Sequence, residues 1–228
     1  MTSTPRPPKL VIFDCDGVLV DSEPLSIRVL VETMQDQGVP MTEAECYEHF
    51  LGRSLTSLKA TLHSKFDREL TEAQLETMRE RLYDLYRQEL NPLPDMETVL
   101  KTLRLPYCVA SSSVPDRIRL SLELTGLASY FGPHVYSASM VANGKPAPDL
   151  FLHAANQMGH APVDCIVIED SPAGIEAARR AGMRAFAFVG GSHAIAAGLR
   201  ETVAALRPYC IFERMAELPS LIANLSRG

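Results

Sequence analysis

Residues 10–17 read Leu-Val-Ile-Phe-Asp-Cys-Asp-Gly. The apolar run Leu10–Phe13 stops abruptly at Asp14-Cys15-Asp16-Gly17. A half-exposed strand would alternate apolar and polar residues. A run that is apolar at every position is that of a strand covered on both faces, as in a parallel sheet. The same pattern recurs in Tyr107–Ala110 (YCVA), which ends in Ser111-Ser112-Ser113, and in Cys165–Ile168 (CIVI), which ends in Glu169-Asp170-Ser171. Ala185–Val189 (AFAFV) is a further run, and Val135–Ser137 and Cys210–Phe212 are weaker candidates. Helical stretches separate them: Pro115–Leu124, Asp149–Met158, Pro172–Ala181 and about Ala194–Leu206. Strands alternating with helices predict an α/β fold with right-handed crossovers.

One stretch breaks this rhythm. Between Ser22 and Pro94 no strand is evident, and Leu25–Gln37, Thr42–Phe50, Ser54–Lys65 and Thr71–Glu89 all read as helices. Thr42-x-x-Glu45 and Thr71-x-x-Gln74 have the form of capping boxes at two of the helix starts. Asn91-Pro92-Leu93-Pro94 stops the last helix. The expected architecture is therefore an α/β, Rossmann-like parallel sheet core with an inserted α-helical cap domain. Residues 1–8 form a flexible tail, 9–21 and 95–228 the core, and 22–94 the cap. Asp21-Ser22-Glu23-Pro24 is the expected hinge.

Composition narrows the function. The chain has 228 residues, 46% of them hydrophobic and 22% charged, with a net charge of −6. That composition is globular and excludes disordered and fibrous classes. The acidic balance disfavours nucleic acid as a partner, because phosphate-backbone binding needs clustered Lys and Arg. The five cysteines, Cys15, Cys46, Cys108, Cys165 and Cys210, are odd in number and show no C-x-x-C spacing. They fit a reduced, cytoplasmic protein rather than a disulfide scaffold. No stretch reads as a signal peptide or a membrane span, and a monomer or weak dimer is expected.

Open parallel sheets bind ligands beyond the carboxyl ends of their strands. That edge would gather Asp14, Asp16, Glu169, Asp170, the serines from Ser111 and, from a loop opening a helix, Lys145 of Gly144-Lys145-Pro146. Two unit charges 4 Å apart at an effective dielectric near 20 interact by about 4 kcal/mol, so four clustered carboxylates call for a cation. Mg²⁺, with oxygen ligands and a share of a phosphate, is the simplest relief. A lysine and a serine-rich turn opposite it suit a phosphate dianion.

These residues resemble the four motifs of the haloacid dehalogenase (HAD) superfamily, in its phosphatase/β-phosphoglucomutase-like branch with a helical cap. The resemblance runs from about Lys9 to Val189. Asp14-Cys15-Asp16-Gly17-Val18 is similar to the D-x-D-G-[TV] motif, and Ser111 to the strand ending in Ser or Thr. Lys145 in GKPAPD is similar to the third motif and Glu169-Asp170 in IEDSPAG to the fourth. The resemblance implies that Asp14 is the nucleophile, forming an aspartyl-phosphate, and that Asp16 is the general acid and base. It further implies Mg²⁺ held by Asp14, Asp170, the backbone carbonyl of Asp16 and, in some relatives, Glu169. Ser111, the N–H of Ser112 and Lys145 would hold the phosphate oxygens.

Other residues carry plainer readings. Strand alternation turns Cys15 away from the two aspartates into the core. Ser113 is expected to cap the helix beginning near Pro115. The six histidines lack metal-ligand spacing. Arg200, Arg207 and Arg214 read as surface. Arg53, in the Leu51-Gly52-Arg53-Ser54 loop, is the candidate for contacting the distal part of a substrate. The expected function is a Mg²⁺-dependent phosphatase acting on a small phosphorylated metabolite, a sugar or polyol phosphate. The alternatives are a β-phosphoglucomutase-type mutase and a ligand-sensing domain on the same fold. The mutases carry a histidine where this chain has Ser26, which argues against the first alternative.

Overall fold

The computed structural model describes residues 7–39, 41–50 and 55–225. Strands β1 (Leu10–Phe13), β2 (Tyr107–Ser111), β3 (Val135–Ser137), β4 (Cys165–Glu169), β5 (Arg184–Phe188) and β6 (Cys210–Phe212) form one sheet. Their order is β3-β2-β1-β4-β5-β6, and every pairing is parallel. The chain therefore builds outward from β1 through β2 to β3, then crosses back to lay β4 against the other side of β1. That reversal puts a crevice at the carboxyl end of β1, where open α/β sheets bind their ligands.

Helices α1 (Glu23–Asp36), α2 (Glu43–Phe50), α3 (Leu55–Phe66), α4 (Glu72–Glu89) and α5 (Met96–Thr102) lie between β1 and β2. Helices α6 (Pro115–Leu124) and α7 (Ala128–Phe131) precede β3, α8 (Asp149–Gln157) precedes β4, and α9 (Pro172–Arg180) precedes β5. Helix α10 (Leu199–Ala205) precedes β6 and α11 (Leu218–Leu225) follows it.

The alternation of side chains along each strand divides the interior in two. Val11, Phe13, Ile166 and Ile168 pack on one face with residues of α5, α6 and α11. Leu10, Ile12, Cys165 and Val167 pack on the other with residues of α8, α9 and α10. Because both faces are covered, the interior positions of the strands are apolar and polar residues fall at their ends.

The inserted helices have an apolar cluster of their own, including Ile27, Leu30 and Met34 of α1, Cys46, Tyr47 and Phe50 of α2, Leu62 of α3 and Leu75 of α4. Both capping boxes form. The Thr42 N–H donates to the Glu45 carboxylate at 2.8 Å and the Glu45 N–H to the Thr42 hydroxyl at 3.3 Å. Thr71 and Gln74 repeat the exchange. The two segments joining helices to sheet are tied together: the Asp21 N–H donates to the Asn91 carbonyl at 3.0 Å and the Leu93 N–H to the Leu19 carbonyl at 2.9 Å.

Three differences from the sequence reading have physical causes. Helix α10 begins at Leu199, not near Ala194, because Gly198 takes the left-handed conformation at φ 55° and breaks any earlier helical run. Helices α5, α7 and α11 are short and bury few residues each, so they leave weak periodicity. Ser113 does not cap α6; the cap position is Val114, with no side-chain bond, and Ser113 is committed elsewhere. Cys15 is buried in the core as expected. Among the described residues, no helix is long and apolar enough to cross a membrane.

Candidate active site

The first strand must shed its backbone pairing where Asp14 begins the loop. The Asp14 N–H still donates to the Ile168 carbonyl at 3.0 Å, so the nucleophile candidate is anchored to β4 at the last ladder position. Gly17 lets the loop fold back over that edge. It sits at φ +75°, and a Cβ there would lie 2.0 Å from Asp170 Oδ2. No other residue permits so close an approach.

The strand tips bring together Asp14, Glu169 and Asp170, all buried, with one carboxylate oxygen from each lying within 4.8 Å of the others. Lys145 enters from the loop before α8. Its ammonium donates to Asp14 Oδ1 at 2.7 Å and to Glu169 Oε1 at 2.6 Å, with its side chain 1% exposed. Glu169 is engaged at both oxygens, since its Oε2 also accepts the Ser171 N–H at 2.8 Å and the Ser171 hydroxyl at 2.9 Å. Asp170 is different: its Oδ2 is buried and accepts no hydrogen bond among the described residues.

The electrostatics follow from this crowding. Burial, reinforced by Glu169, Asp170 and Asp16, pushes Asp14 well above the usual carboxylate range despite Lys145. Burial and the Glu169 charge likewise raise Asp170. Burial alone would lower Lys145, but Asp14 and Glu169 outweigh it and its pKa is raised. Buried carboxylates that cannot all ionise, one with an orphaned oxygen, form an oxygen-only donor set suited to a hard divalent cation.

Asp16 lies in a second network. Burial disfavours its charge, yet Arg117 and the hydroxyls of Ser113 and Ser22 more than offset that, and its pKa is lowered. The Arg117 guanidinium donates to Asp16 Oδ1 at 2.9 Å, Ser22 Oγ to the same oxygen at 2.7 Å, and Ser113 Oγ to Oδ2 at 2.6 Å. Arg117 also donates to Ser26 Oγ at 3.1 Å and lies 5.5 Å from the Tyr86 ring centroid. It thereby links Asp16 to α1 and α4. Ser111 is 1% exposed at the end of β2, and Ser112 lines the same cavity. That cavity, about 100 Å³, has Asp14, Asp16 and Ser111 on its floor and Ile27, Leu30 and Leu82 of α1 and α4 above.

Of the sequence candidates, Asp14, Asp16, Glu169, Asp170, Ser111, Ser112 and Lys145 thus meet around one crevice, in two groups: one on Lys145, one on Arg117. Arg53 lies outside the described residues. The sequence did not single out Arg117 or His193, and it offered Glu23 only as part of the hinge. Arg117 carried one usable signal: it stands in the first turn of the helix that follows the serine-bearing strand tip.

A family model of haloacid dehalogenase-like hydrolases matches residues 8–182. The chain belongs to this family and is an enzyme, a hydrolase. Curated relatives include the 6-phosphogluconate phosphatase of Escherichia coli, 29% identical over 184 residues covering 80% of this chain and 83% of the relative. The fructose-1-phosphate phosphatase of the same organism is 32% identical over 186 residues, covering 77% and 93%. A solved haloacid dehalogenase-like protein of Agrobacterium tumefaciens superposes with a TM-score of 0.82 at 34% identity, covering 96% of this chain and 99% of that one. A family hydrolase of Deinococcus radiodurans, solved with phosphate and sodium bound, gives 0.76 at 29% identity, covering 96% of each.

Proposed function

We propose that this chain is a Mg²⁺-dependent phosphatase that hydrolyses a small phosphorylated metabolite, a sugar or polyol phosphate, through a phospho-Asp14 intermediate. The observation that carries the reading is the meeting of the Asp14, Glu169 and Asp170 carboxylates with the Lys145 ammonium at one sheet edge. The substrate class rests on the relatives named for 6-phosphogluconate and fructose-1-phosphate.

Asp14 attacks phosphorus through a carboxylate oxygen, and the bond to the substrate's alkoxide oxygen breaks. Lys145 and the Ser111–Ser112 turn hold the phosphoryl oxygens, and positioning supplies most of the catalysis. Asp16 gives a proton to the departing alkoxide. It then takes one from the water that attacks phosphorus and frees Asp14. With Arg117, Ser22 and Ser113 bound, Asp16 is ionised and set for the second role; for the first it must leave Arg117 and take up a proton from solvent before the attack, which it then passes to the alkoxide. Mg²⁺, held by Asp14, Asp170 and the Asp16 backbone carbonyl, would supply the charge neutralisation that lets a carboxylate approach a phosphate dianion. Glu169, whose oxygens accept from Lys145 and Ser171, holds Lys145 in place and has one lone-pair position left for the cation.

Residues 22–94 act as a cap over the cavity, hinged at residues 21–24. The mutase alternative has less support: Ser26, where the resembling mutases carry a histidine, is bonded to Arg117. The five cysteines are free, four of them buried, which supports a reduced, cytoplasmic location.

The test is phosphate release from a panel of sugar, polyol and aryl phosphates with Mg²⁺. Turnover should vanish with EDTA and fall to background in Asp14→Asn with the fold intact. An Asp14→Asn protein that turns over at the wild-type rate removes the nucleophile and the reading with it.

A further inference from the structure

His193 takes no part in the chemistry above, yet it lies against it. It stands in the loop between β5 and α10, 1% exposed. Its Nε2 is 3.1 Å from Asp170 Oδ2. Oδ2 and both ring nitrogens are buried, and none makes a hydrogen bond among the described residues. Two unsatisfied polar atoms that face each other at this distance need only a small ring rotation to pair, with an N–H on Nε2 donating to Oδ2. A carboxylate has about four lone-pair positions, so one such bond leaves Asp170 able to hold a cation.

The imidazole is boxed on its other sides. A Cβ on Gly191 would lie 2.6 Å from Cε1, and one on Gly17 would lie 3.1 Å from it. The Tyr47 ring of α2 stacks on it, with centroids 6.3 Å apart and planes 21° apart. The same loop holds the start of the inserted segment, since Ser192 Oγ donates to Asp21 Oδ1 at 2.8 Å. Ala197 packs against the apolar cluster of the inserted helices. One loop of the sheet domain thus touches the carboxylate Asp170, the linker and α2.

We propose that His193 is a positioning residue that couples the seating of helix α2 to the orientation of the Asp170 carboxylate. Tyr47 presses the imidazole into its slot, and the imidazole fixes Asp170 for the cation. Linkage then works both ways: a bound cation, by drawing Asp170 into register, tightens the contact between the loop and α2. This rests on the metal-dependent reading above, and the experiment separates the two.

Mg²⁺ affinity is measured by calorimetry without substrate, and amide exchange in α2 is followed with and without Mg²⁺. His193→Ala should weaken Mg²⁺ binding by about 10–100-fold, the usual loss when a partner orienting a metal-binding group is removed. Tyr47→Leu should weaken it less, and the double variant should bind no worse than His193→Ala alone, because both changes break one chain of contacts. Tyr47→Phe keeps the stack and should bind within about twofold of wild type. Mg²⁺ should slow exchange in α2 of the wild type and not of His193→Ala. Should His193→Ala fail to fold, His193→Gln keeps an N–H for Asp170 but no ring; its Mg²⁺ affinity should no longer respond to Tyr47→Leu. Unchanged affinity in His193→Ala, or full additivity of the His193 and Tyr47 effects, overturns the coupling. A wild-type protein that binds no Mg²⁺ overturns the metal reading itself.

Discussion

Lys145 and Arg81 each make ion pairs 2.7 Å long, in opposite surroundings. At the strand tips Lys145 is 1% exposed and serves Asp14 and Glu169, themselves 9% and 0% exposed. On the inserted helices Arg81 pairs with Asp36 at 43% and 55% exposure, and Lys59 with Glu72 at 41% and 87%. In the first setting the groups were taken out of water, and Lys145 keeps its charge because Asp14 and Glu169 face it. In the second, water already does most of what the partner does. The sheet edge is therefore a place where single substitutions should be costly, and the helix surfaces a place where they should be cheap.

The largest test of that contrast is Lys145→Met, which keeps much of the side-chain volume and removes the charge. Asp14 and Glu169 are then buried without their cation, and breaking a buried pair in this way typically costs about 3–5 kcal/mol. Urea denaturation at neutral pH in EDTA should show a loss of that order. A loss under about 1 kcal/mol would mean the buried cluster is solvated or protonated enough not to need Lys145, and the contrast would fail.

The same division explains what could be read from the sequence. Strands β1, β2 and β4 are apolar up to their carboxyl ends because both faces are covered, and the polar residues there stand out against them. Asp14, Asp16, Ser111, Glu169 and Asp170 were legible for that reason, and Lys145 through its place in the ordered set of motifs. The contacts made between distant segments left no such mark. Arg117 lies one helical turn past the serines, but its bond to Asp16 spans 101 residues of chain. His193 meets Asp170 and Tyr47 only because the β5–α10 loop folds back. Ser113 reads as a cap by local rules, and it is withdrawn from that role by a carboxylate brought in from β1. Local pattern reports what a residue does to its own backbone. It is silent when a tertiary partner outbids that use.

Glu23 sits where the two regions meet, and so sharpens the comparison. It opens α1 yet is only 6% exposed. Burial, with Asp16 and Asp170 adding to it, raises its pKa from 4.5 to about 8. Between those values the folded chain holds a proton that the unfolded chain has released. Stability from this group is therefore lost as pH rises across the window, by up to about 1.4 kcal/mol per pH unit. Glu23→Gln removes the titration. Measured by thermal unfolding in EDTA, the Tm of the variant should gain on wild type steadily from about pH 5 to pH 8 and level off above. A Tm difference that does not change with pH would place Glu23 with the solvated charges of the helices rather than with the buried ones of the sheet.

The smallest effect belongs to the exposed pair that joins α4 to α1. Arg81→Ala removes one 2.7 Å contact with Asp36. Both ends are free to hydrate, and salt screens what attraction remains over about 10 Å at 0.1 M. The expected loss is about 0–1 kcal/mol, and a double-mutant cycle with Asp36→Asn should give a coupling in the same range that shrinks at high salt. The cycle isolates the pair, because either single change leaves the other side chain in water and unpenalised. A coupling above about 2 kcal/mol would show that the helices lean on their surface charges as the sheet edge leans on Lys145, and would erase the contrast between the two regions.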